Sequence, residues 1–224
     1  MTQILLIRHG VNDMVGQKRL AGWLPDVHLN DEGKAQAEAL AERLRDVPIS
    51  AIYASPLERT CETAEPLARI KGLPIHIREG LGEVRYGDWT GKSIEELTKD
   101  ELWRVVQIYP SGMRFPGGDS MREMQARIVN EIELIAADHP KEIVALFSHA
   151  DLIKAALAHY LGTHFDLFQR IVVNPASVSV VQLTRWGPQV VRVNDDGPLK
   201  LELPKDEEPA AAQPEASPTN SAAE

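Results

Sequence analysis

The chain has 224 residues, of which 43% are hydrophobic and 25% charged, a composition typical of one globular domain with a substantial core. Its formal net charge of −9 disfavours a nucleic-acid or acidic-membrane partner, because no basic excess is available to neutralise phosphates. A single cysteine, Cys61, excludes an intrachain disulfide, and no Cys/His cluster indicates zinc. No stretch has the length of a membrane span or of a signal-peptide core, so we expect a cytoplasmic protein.

Predicted strands and helices alternate over the first 77 residues. The strands are short runs of apolar and β-branched residues. Each helix begins at a capping residue or at a proline in its first turn. In chain order, the predicted elements are a strand over 3–8, a helix from Asn30 or Asp31 to about Arg45, a strand over 49–54, a helix from Ser55-Pro56 to near Gly72, and a strand over 73–77.

The segment 80–118 is rich in glycine, tryptophan and proline, which favours loops and a cap over a core. We expect one helix within it, at about 94–108. Regular alternation resumes after this segment. The elements predicted there are a helix from Ser120 to about Asp138, a strand over 142–149, a helix over 151–162 that Gly162 ends, and two strands joined at Trp186-Gly187-Pro188 as a hairpin at one side of the sheet.

This alternation predicts an α/β fold, a three-layer sandwich with a mostly parallel central sheet and helices on both faces. We expect one domain over 1–204, with 80–118 as its cap or substrate-loop region. Residues 205–224 contain one lysine, five acidic residues and no large apolar side chain. This composition predicts a disordered acidic tail.

Five chemistry-bearing residues follow the predicted strands, where ligands of open α/β sheets collect. Arg8 and His9 follow the first strand, Arg59 lies in the helix after the second, Glu83 comes after the third, and His149 after the fourth. Two guanidinium groups can bind a tetrahedral anion, and a neutral imidazole can attack phosphorus. A carboxyl group can protonate the leaving oxygen, and a second, protonated imidazole can stabilise the phosphate oxygens. This set requires no metal ion and no cofactor.

At these residues the chain resembles the histidine phosphatase superfamily, which has the phosphoglycerate-mutase-like fold. The resemblance extends from about residue 3 to residue 185. The matching segments are LLIRHG, RLAGWLPDVHLNDEGKAQAEAL, IYASPLERTCETA, LGEVRYGDWTG, FPGGDSM and ALFSHADLIKAAL. The resemblance implies a phosphohistidine intermediate on His9, proton transfer by Glu83, and phosphate binding by Arg8, Arg59 and His149.

The residues after the first histidine depart from the family pattern. Members often continue Arg-His-Gly with Glu or Gln, Thr, two further residues and Asn. The corresponding positions here are Val11, Asn12 and Val15. We expect Asn12 to reach the phosphate in place of the missing asparagine. Arg19 and Gly22 still match the later Arg-x-x-Gly element and are expected at the substrate.

The family usually has Gly-Gly after the second histidine, and this chain has Ala150-Asp151. We expect the N–H of Ala150 to serve an oxyanion, and Gly10 to allow the backbone close to the anion. We interpret Asp151 first as a helix cap and second as a negative charge near the anion site. Trp23 and Tyr86 are expected either to shape the substrate pocket or to pack in the core.

The leading hypothesis is a metal-independent phosphatase, of the histidine acid phosphatase type, that hydrolyses a phosphomonoester of a small metabolite. The PGGDS segment and the short stretch between Glu83 and Pro116 resemble the small phosphatases, including the α-ribazole phosphatases, more than the glycolytic mutases. One alternative is a phosphoglycerate-mutase-type phosphomutase, and another is a catalytically weak module that binds a phospho-ligand or a protein. The sequence leaves open the substrate and the choice between a monomer and a homodimer.

Overall fold

The computed structural model describes residues 1–197, and the tail predicted over 205–224 lies outside them. The strands are β1 (Thr2–Arg8), β2 (Ile49–Ala54), β3 (Ile75–Ile77), β4 (Ile143–Ser148), β5 (Val178–Thr184) and β6 (Gly187–Asp195). The α-helices are α1 (Asp13–Gly16), α2 (Asp31–Arg43), α3 (Glu58–Lys71), α4 (Ile94–Leu97), α5 (Glu101–Ile108), α6 (Met121–Asp138) and α7 (Ala150–Tyr160). Within the described residues, no helix is long and apolar enough to cross a membrane.

The strands form one sheet in the order β3-β2-β4-β1-β5-β6. Strands β3, β2, β4 and β1 run parallel to one another, while β5 is antiparallel to β1 and forms a hairpin with β6. The predicted α/β fold with a mostly parallel sheet is therefore confirmed. The hairpin lies at one side of the sheet, as the sequence indicated.

The sheet is the middle of three layers, and β1 shows why its apolar run is continuous. Alternate residues of a strand point to opposite faces, and both faces of β1 are covered by helices. Leu5 and Ile7 pack into a cluster that includes residues of α2 and α3, while Ile4 and Leu6 pack with α6 and α7. All four side chains are fully buried. The polar residues that follow β1 therefore project from a rigid core strand.

Several predicted boundaries were wrong. The single helix predicted over 94–108 is two helices, because Asp100 accepts a hydrogen bond from the N–H of Leu102 (2.9 Å) and caps α5 as a new helix. The strand predicted over 73–77 begins only at Ile75, because α3 ends at Gly72 with φ +65° and Pro74 has no N–H for a strand ladder. Helix α3 begins at Glu58, after the Ser55-Pro56 pair rather than at it, and α2 ends at Arg43.

The segment 80–118 contributes more to the core than its composition predicted. Trp89 is 1% exposed and Phe115 is 2% exposed, and both belong to the apolar cluster beneath α6 and α7. The same segment places Glu83 and Tyr86 at the end of the sheet where β1 and β4 finish. Because it is anchored in the core, this segment presents Glu83 and Tyr86 on a fixed support.

Candidate active site

The register of the parallel strands brings two histidines together at the carboxyl edge of the sheet. Arg8 is paired with Ser148, the last residue of β4. The next residue of each strand is a histidine, and the ring centroids of His9 and His149 are 5.3 Å apart at an angle of 60°. The sequence placed His149 opposite His9, and the structure shows the same arrangement.

A cavity of about 180 Å³ opens at this edge. It is smaller than the pockets of roughly 300–1,000 Å³ that hold drug-sized ligands, so it suits a small one. Four of the five predicted catalytic residues line it, and His149, Gly10 and Gly22 do not. The lining residues are Arg8, His9, Asn12, Val15, Arg19, Leu20, Ala21, Arg59, Glu83, Tyr86, Ala150 and Asp151.

Three side chains of the cavity wall carry buried N–H groups for which residues 1–197 provide no acceptor. These groups are Nε and Nη1 of Arg59, Nε of Arg8 and Nδ2 of Asn12. Arg59 is only 1% exposed, so water cannot hydrate its guanidinium freely. A buried donor without an acceptor costs about 1–3 kcal/mol. A ligand with several anionic oxygens would satisfy these donors together.

The two guanidinium groups are held in place by backbone carbonyls. Nη2 of Arg59 donates to the carbonyl of Gly22 (2.9 Å), and Nη1 of Arg8 donates to the carbonyl of Val173 (2.7 Å). Gly22 has φ +53°, a backbone conformation that glycine adopts readily. Gly22 lies outside the cavity, so its contact with a ligand is indirect, through Arg59.

His9 has the tautomer and the charge that a nucleophile requires. Its Nδ1 lies 2.7 Å from the carbonyl oxygen of Gly10, which accepts a hydrogen bond, so the lone pair is on Nε2. Burial lowers the pKa of His9 well below its usual range, and the positive charges of Arg59 and Arg8 lower it further. The imidazole is therefore neutral at neutral pH, with a free lone pair.

The surroundings of His149 favour a neutral imidazole in this structure, whereas the sequence led us to expect a protonated one. Burial lowers the pKa of His149 well below its usual range, and Arg59 and His9 add to the effect. Nη2 of Arg59 lies 3.3 Å from Nδ1, which must accept, and Nε2 lies 2.8 Å from Oγ of Ser55. His149 is fully buried behind the cavity wall. As a neutral acceptor, it orients Arg59 and borders His9.

The expected role of Gly10 is also different in the structure. Its N–H donates to Oγ1 of Thr63 (3.0 Å) and so is not directed at an anion in the cavity. A Cβ atom at Gly10 would lie 2.7 Å from the carbonyl oxygen of Gly33 in α2. The small residue is therefore required for close packing of the loop after β1 against α2.

Glu83 has the properties of a proton donor and acceptor. Its side chain lines the cavity, and burial raises its pKa to about 7, with a further contribution from the negative charge of Asp151. Oε1 accepts a hydrogen bond from the N–H of Val84 (2.9 Å), and Oε2 lies 3.6 Å from Nδ1 of His149. The nearby acidic residues Glu79 and Asp88 are exposed and do not line the cavity.

Sequence reasoning missed the side chains that hold Glu83. The guanidinium of Arg127, in α6, donates to the carbonyls of Gly82 (2.6 Å) and Glu83 (3.1 Å). Nε1 of Trp23 donates to the same Glu83 carbonyl (2.7 Å), so Trp23 supports the site without lining the cavity. Arg127 is 44 residues from Glu83 and no pattern in the sequence connects them.

Asp151 is not the cap of α7. The N-cap position is occupied by His149, and Asp151 is the second residue of the helix. Its side chain lines the cavity, and its Oδ2 accepts a hydrogen bond from the hydroxyl of Tyr86 (3.2 Å). Ala150, the first residue of α7, is beside it in the cavity wall.

Arg19 is exposed at the cavity and donates a hydrogen bond to the carbonyl of Gly91 (2.8 Å).

The family follows from this site and from comparison with known proteins. Residues 4–196 match the model of the histidine phosphatase superfamily (branch 1). The chain therefore belongs to this superfamily, as its motifs indicated.

Individual relatives include both phosphatases and mutase-like proteins. The chain is 28% identical to phosphoserine phosphatase 1 of Hydrogenobacter thermophilus, over 87% of this chain and 92% of the relative. It is 30% identical to phosphoglycerate mutase-like protein 4 of Arabidopsis thaliana, over 68% of each chain. The solved α-ribazole phosphatase of Shigella flexneri superposes with a TM-score of 0.76 at 22% identity, over 86% of this chain and 96% of that one. At this level of identity, the likeness shows a shared fold.

Proposed function

We propose that this chain is a metal-independent phosphatase that hydrolyses a phosphomonoester of a small metabolite through a phosphohistidine on His9. The observation that supports this function best is the group of unpartnered, buried N–H donors on Arg8, Arg59 and Asn12. The side chains that carry these donors line a cavity, and the neutral imidazole of His9 lines the same cavity. Donors of this kind bind a phosphate group, and the imidazole supplies a nucleophile.

In the first step, Nε2 of His9 forms a bond to phosphorus while the bond from phosphorus to the ester oxygen breaks. Glu83 gives its proton to that oxygen, which leaves as an alcohol. In the second step, the Glu83 carboxylate takes a proton from water as the water oxygen attacks phosphorus. The P–N bond then breaks, inorganic phosphate leaves, and both side chains return to their starting states.

The positive charges of Arg8 and Arg59 compensate the charge of the phosphoryl group in this scheme. Arg59 is buried and Arg8 is half-buried, and both guanidinium groups are fixed by carbonyls, so they need little reorganisation during the reaction. Because they are partly shielded from solvent, their electrostatic effect is stronger than it would be in water. The scheme therefore proceeds without a metal ion.

The small volume of the cavity favours a small leaving group. By its name, the relative from Hydrogenobacter thermophilus acts on phosphoserine, which makes small phosphorylated amino acids and hydroxy acids the first substrates to test. A cytoplasmic location remains a prediction from the sequence, and the choice between a monomer and a homodimer stays open.

Turnover in a chelator tests this function. The purified chain, incubated with p-nitrophenyl phosphate and excess EDTA, is expected to release inorganic phosphate. Incubation with 3-phosphoglycerate and a bisphosphoglycerate primer is expected to give no 2-phosphoglycerate. Formation of 2-phosphoglycerate would instead identify a mutase. Thermal stabilisation by phosphate or vanadate without hydrolysis of any ester would identify a binding module.

Replacing Arg59 by methionine is expected to separate ligand binding from stability. Inorganic phosphate should raise the melting temperature of the wild-type chain, since a ligand at roughly one hundred times its Kd contributes about 2.7 kcal/mol. Arg59→Met should lose this effect while melting near the wild type without phosphate, because the lost hydrogen bond to the Gly22 carbonyl offsets the removal of a buried cation with two unpartnered N–H groups. Differential scanning fluorimetry with and without phosphate checks both results. A phosphate effect that persists in Arg59→Met would contradict the assignment, and Arg69→Met, which changes an exposed arginine, is the matched control.

A further inference from the structure

The cavity has an acidic wall in addition to its phosphate donors. Asp151 lines the cavity, and its carboxylate is held at both oxygens. The Tyr86 hydroxyl donates to Oδ2 (3.2 Å), and the Lys154 ammonium lies 3.5 Å from Oδ1. Tyr86 is itself buried, and burial raises its pKa well above the usual range, so its hydroxyl remains a donor. Both contacts hold the carboxylate in a fixed orientation.

Two nearby cations do not cancel this negative charge at the cavity surface. Lys154 does not line the cavity, and its ammonium also donates to Oε1 of Gln169 (3.1 Å). Arg19 does line the cavity, but it is exposed and its Nη1 donates to the Gly91 carbonyl, so solvent screens its charge. Apart from the proton donor Glu83, Asp151 is therefore the acidic group of the cavity wall that a leaving group meets.

The positive and the negative side chains of the cavity suit different parts of a phosphomonoester. Arg8 and Arg59 compensate the two negative charges of the phosphate. A second anionic group on the leaving group would face the carboxylate of Asp151 and be repelled, whereas an ammonium group would be attracted. We propose that Asp151 is a specificity-determining residue that selects phosphomonoesters whose leaving group carries an ammonium group near the ester. This inference rests on the proposed phosphatase function.

The same carboxylate disfavours substrates with two phosphates. A phosphoglycerate mutase must hold a bisphosphorylated intermediate that also carries a carboxylate. Each of these extra anionic groups would approach Asp151 in a cavity of about 180 Å³. The selection by Asp151 therefore also favours hydrolysis over mutase chemistry.

Three matched esters test the selection. O-phosphoethanolamine, 2-hydroxyethyl phosphate and phosphoglycolate each have a two-carbon leaving group that ends in an ammonium, a hydroxyl or a carboxylate, respectively. In the wild type, kcat/KM is expected to fall in that order, with the ammonium ester favoured over the hydroxyl ester about tenfold. In Asp151→Asn, this ratio should fall close to one. Glu79→Gln removes an exposed carboxylate outside the cavity and should leave the order unchanged.

The ratio of kcat/KM values for two esters, measured in one variant, does not depend on the fraction of folded protein. Asp151→Ala provides a second variant that lacks the carboxylate. Two results would overturn the selection by Asp151 if the wild type still hydrolyses p-nitrophenyl phosphate. One is equal kcat/KM values for the three esters in the wild type. The other is an unchanged order of the three esters in both Asp151 variants. If the wild type hydrolyses neither p-nitrophenyl phosphate nor any of the three esters, the phosphatase function itself is wrong, and the selection by Asp151 is overturned with it.

Discussion

Replacement of His9 by alanine is expected to reduce phosphate release from any phosphomonoester by about 10⁴-fold or more, the scale seen when a covalent nucleophile is removed. Alanine has no atom that can form the P–N bond. His9 lies at the end of a fully buried strand, and its Nδ1 is fixed on the Gly10 carbonyl, so no neighbouring group can take its position easily. His149 cannot substitute, because it is buried behind the cavity wall and its Nδ1 faces Arg59.

Phosphate binding should survive this substitution, because the N–H donors of Arg8, Arg59 and Asn12 remain. His9→Ala is therefore expected to be stabilised by phosphate although it is inactive. His159→Ala is the matched control, since His159 is an exposed residue of α7 outside the cavity. Turnover by His9→Ala within tenfold of the wild type would contradict the covalent mechanism.

Replacement of Glu83 by glutamine is expected to lower kcat/KM for alkyl phosphates by about 10²–10³-fold, because this constant reports the steps through phosphoryl transfer to His9 and glutamine cannot protonate the leaving oxygen. The effect on kcat/KM for p-nitrophenyl phosphate should be smaller, since nitrophenolate leaves without a proton. Burial raises the pKa of Glu83 to about 7, so the protonated form that the first step needs is lost as the pH rises through 7. In the wild type, kcat for an alkyl phosphate should fall across this range. An equal loss of kcat/KM for both leaving groups would contradict the assignment.

The raised pKa of Glu83 also has a consequence for stability. A carboxyl whose pKa is higher in the folded chain than in the unfolded chain stabilises the fold at low pH. That contribution is complete below the usual pKa of a glutamate and is lost as the pH rises through about 7. Urea unfolding should therefore show a larger decline in stability from pH 5 to pH 8 in the wild type than in Glu83→Gln. Glu79→Gln, which changes an exposed carboxylate, should behave like the wild type.

Much of the fold and site could be predicted because local patterns specify them. The continuous apolar run of β1 identified a strand buried on both faces, and the parallel topology then placed His9 beside His149. Arg59 could be predicted because it lies in the helix that follows the second strand, close to the Ser55-Pro56 pair at the end of that strand. The element boundaries were less predictable, since caps such as Asp100 depend on one local hydrogen bond.

The interactions that sequence reasoning could not find join residues far apart in the chain. Arg127, in α6, supports the segment of Glu83, and Tyr86, 65 residues from Asp151 in the chain, donates a hydrogen bond to its carboxylate. The shift of the His149 pKa could not be predicted from the sequence, because burial and the approach of Arg59 are tertiary effects. Gly10 was predicted to let the backbone approach the anion. In the structure, a side chain at this position would collide with the backbone of Gly33 in α2.

The covalent intermediate is the central claim, and trapping it is the most direct measurement. The chain is mixed with a small molar excess of a phosphate ester, quenched within milliseconds in alkali, in which phosphohistidine is stable, and digested for mass spectrometry. The account predicts one phosphoryl group on the peptide that contains His9, and none in His9→Ala. Steady hydrolysis with a phosphoryl group on another residue, or with no phosphorylated peptide at any quench time, would contradict it.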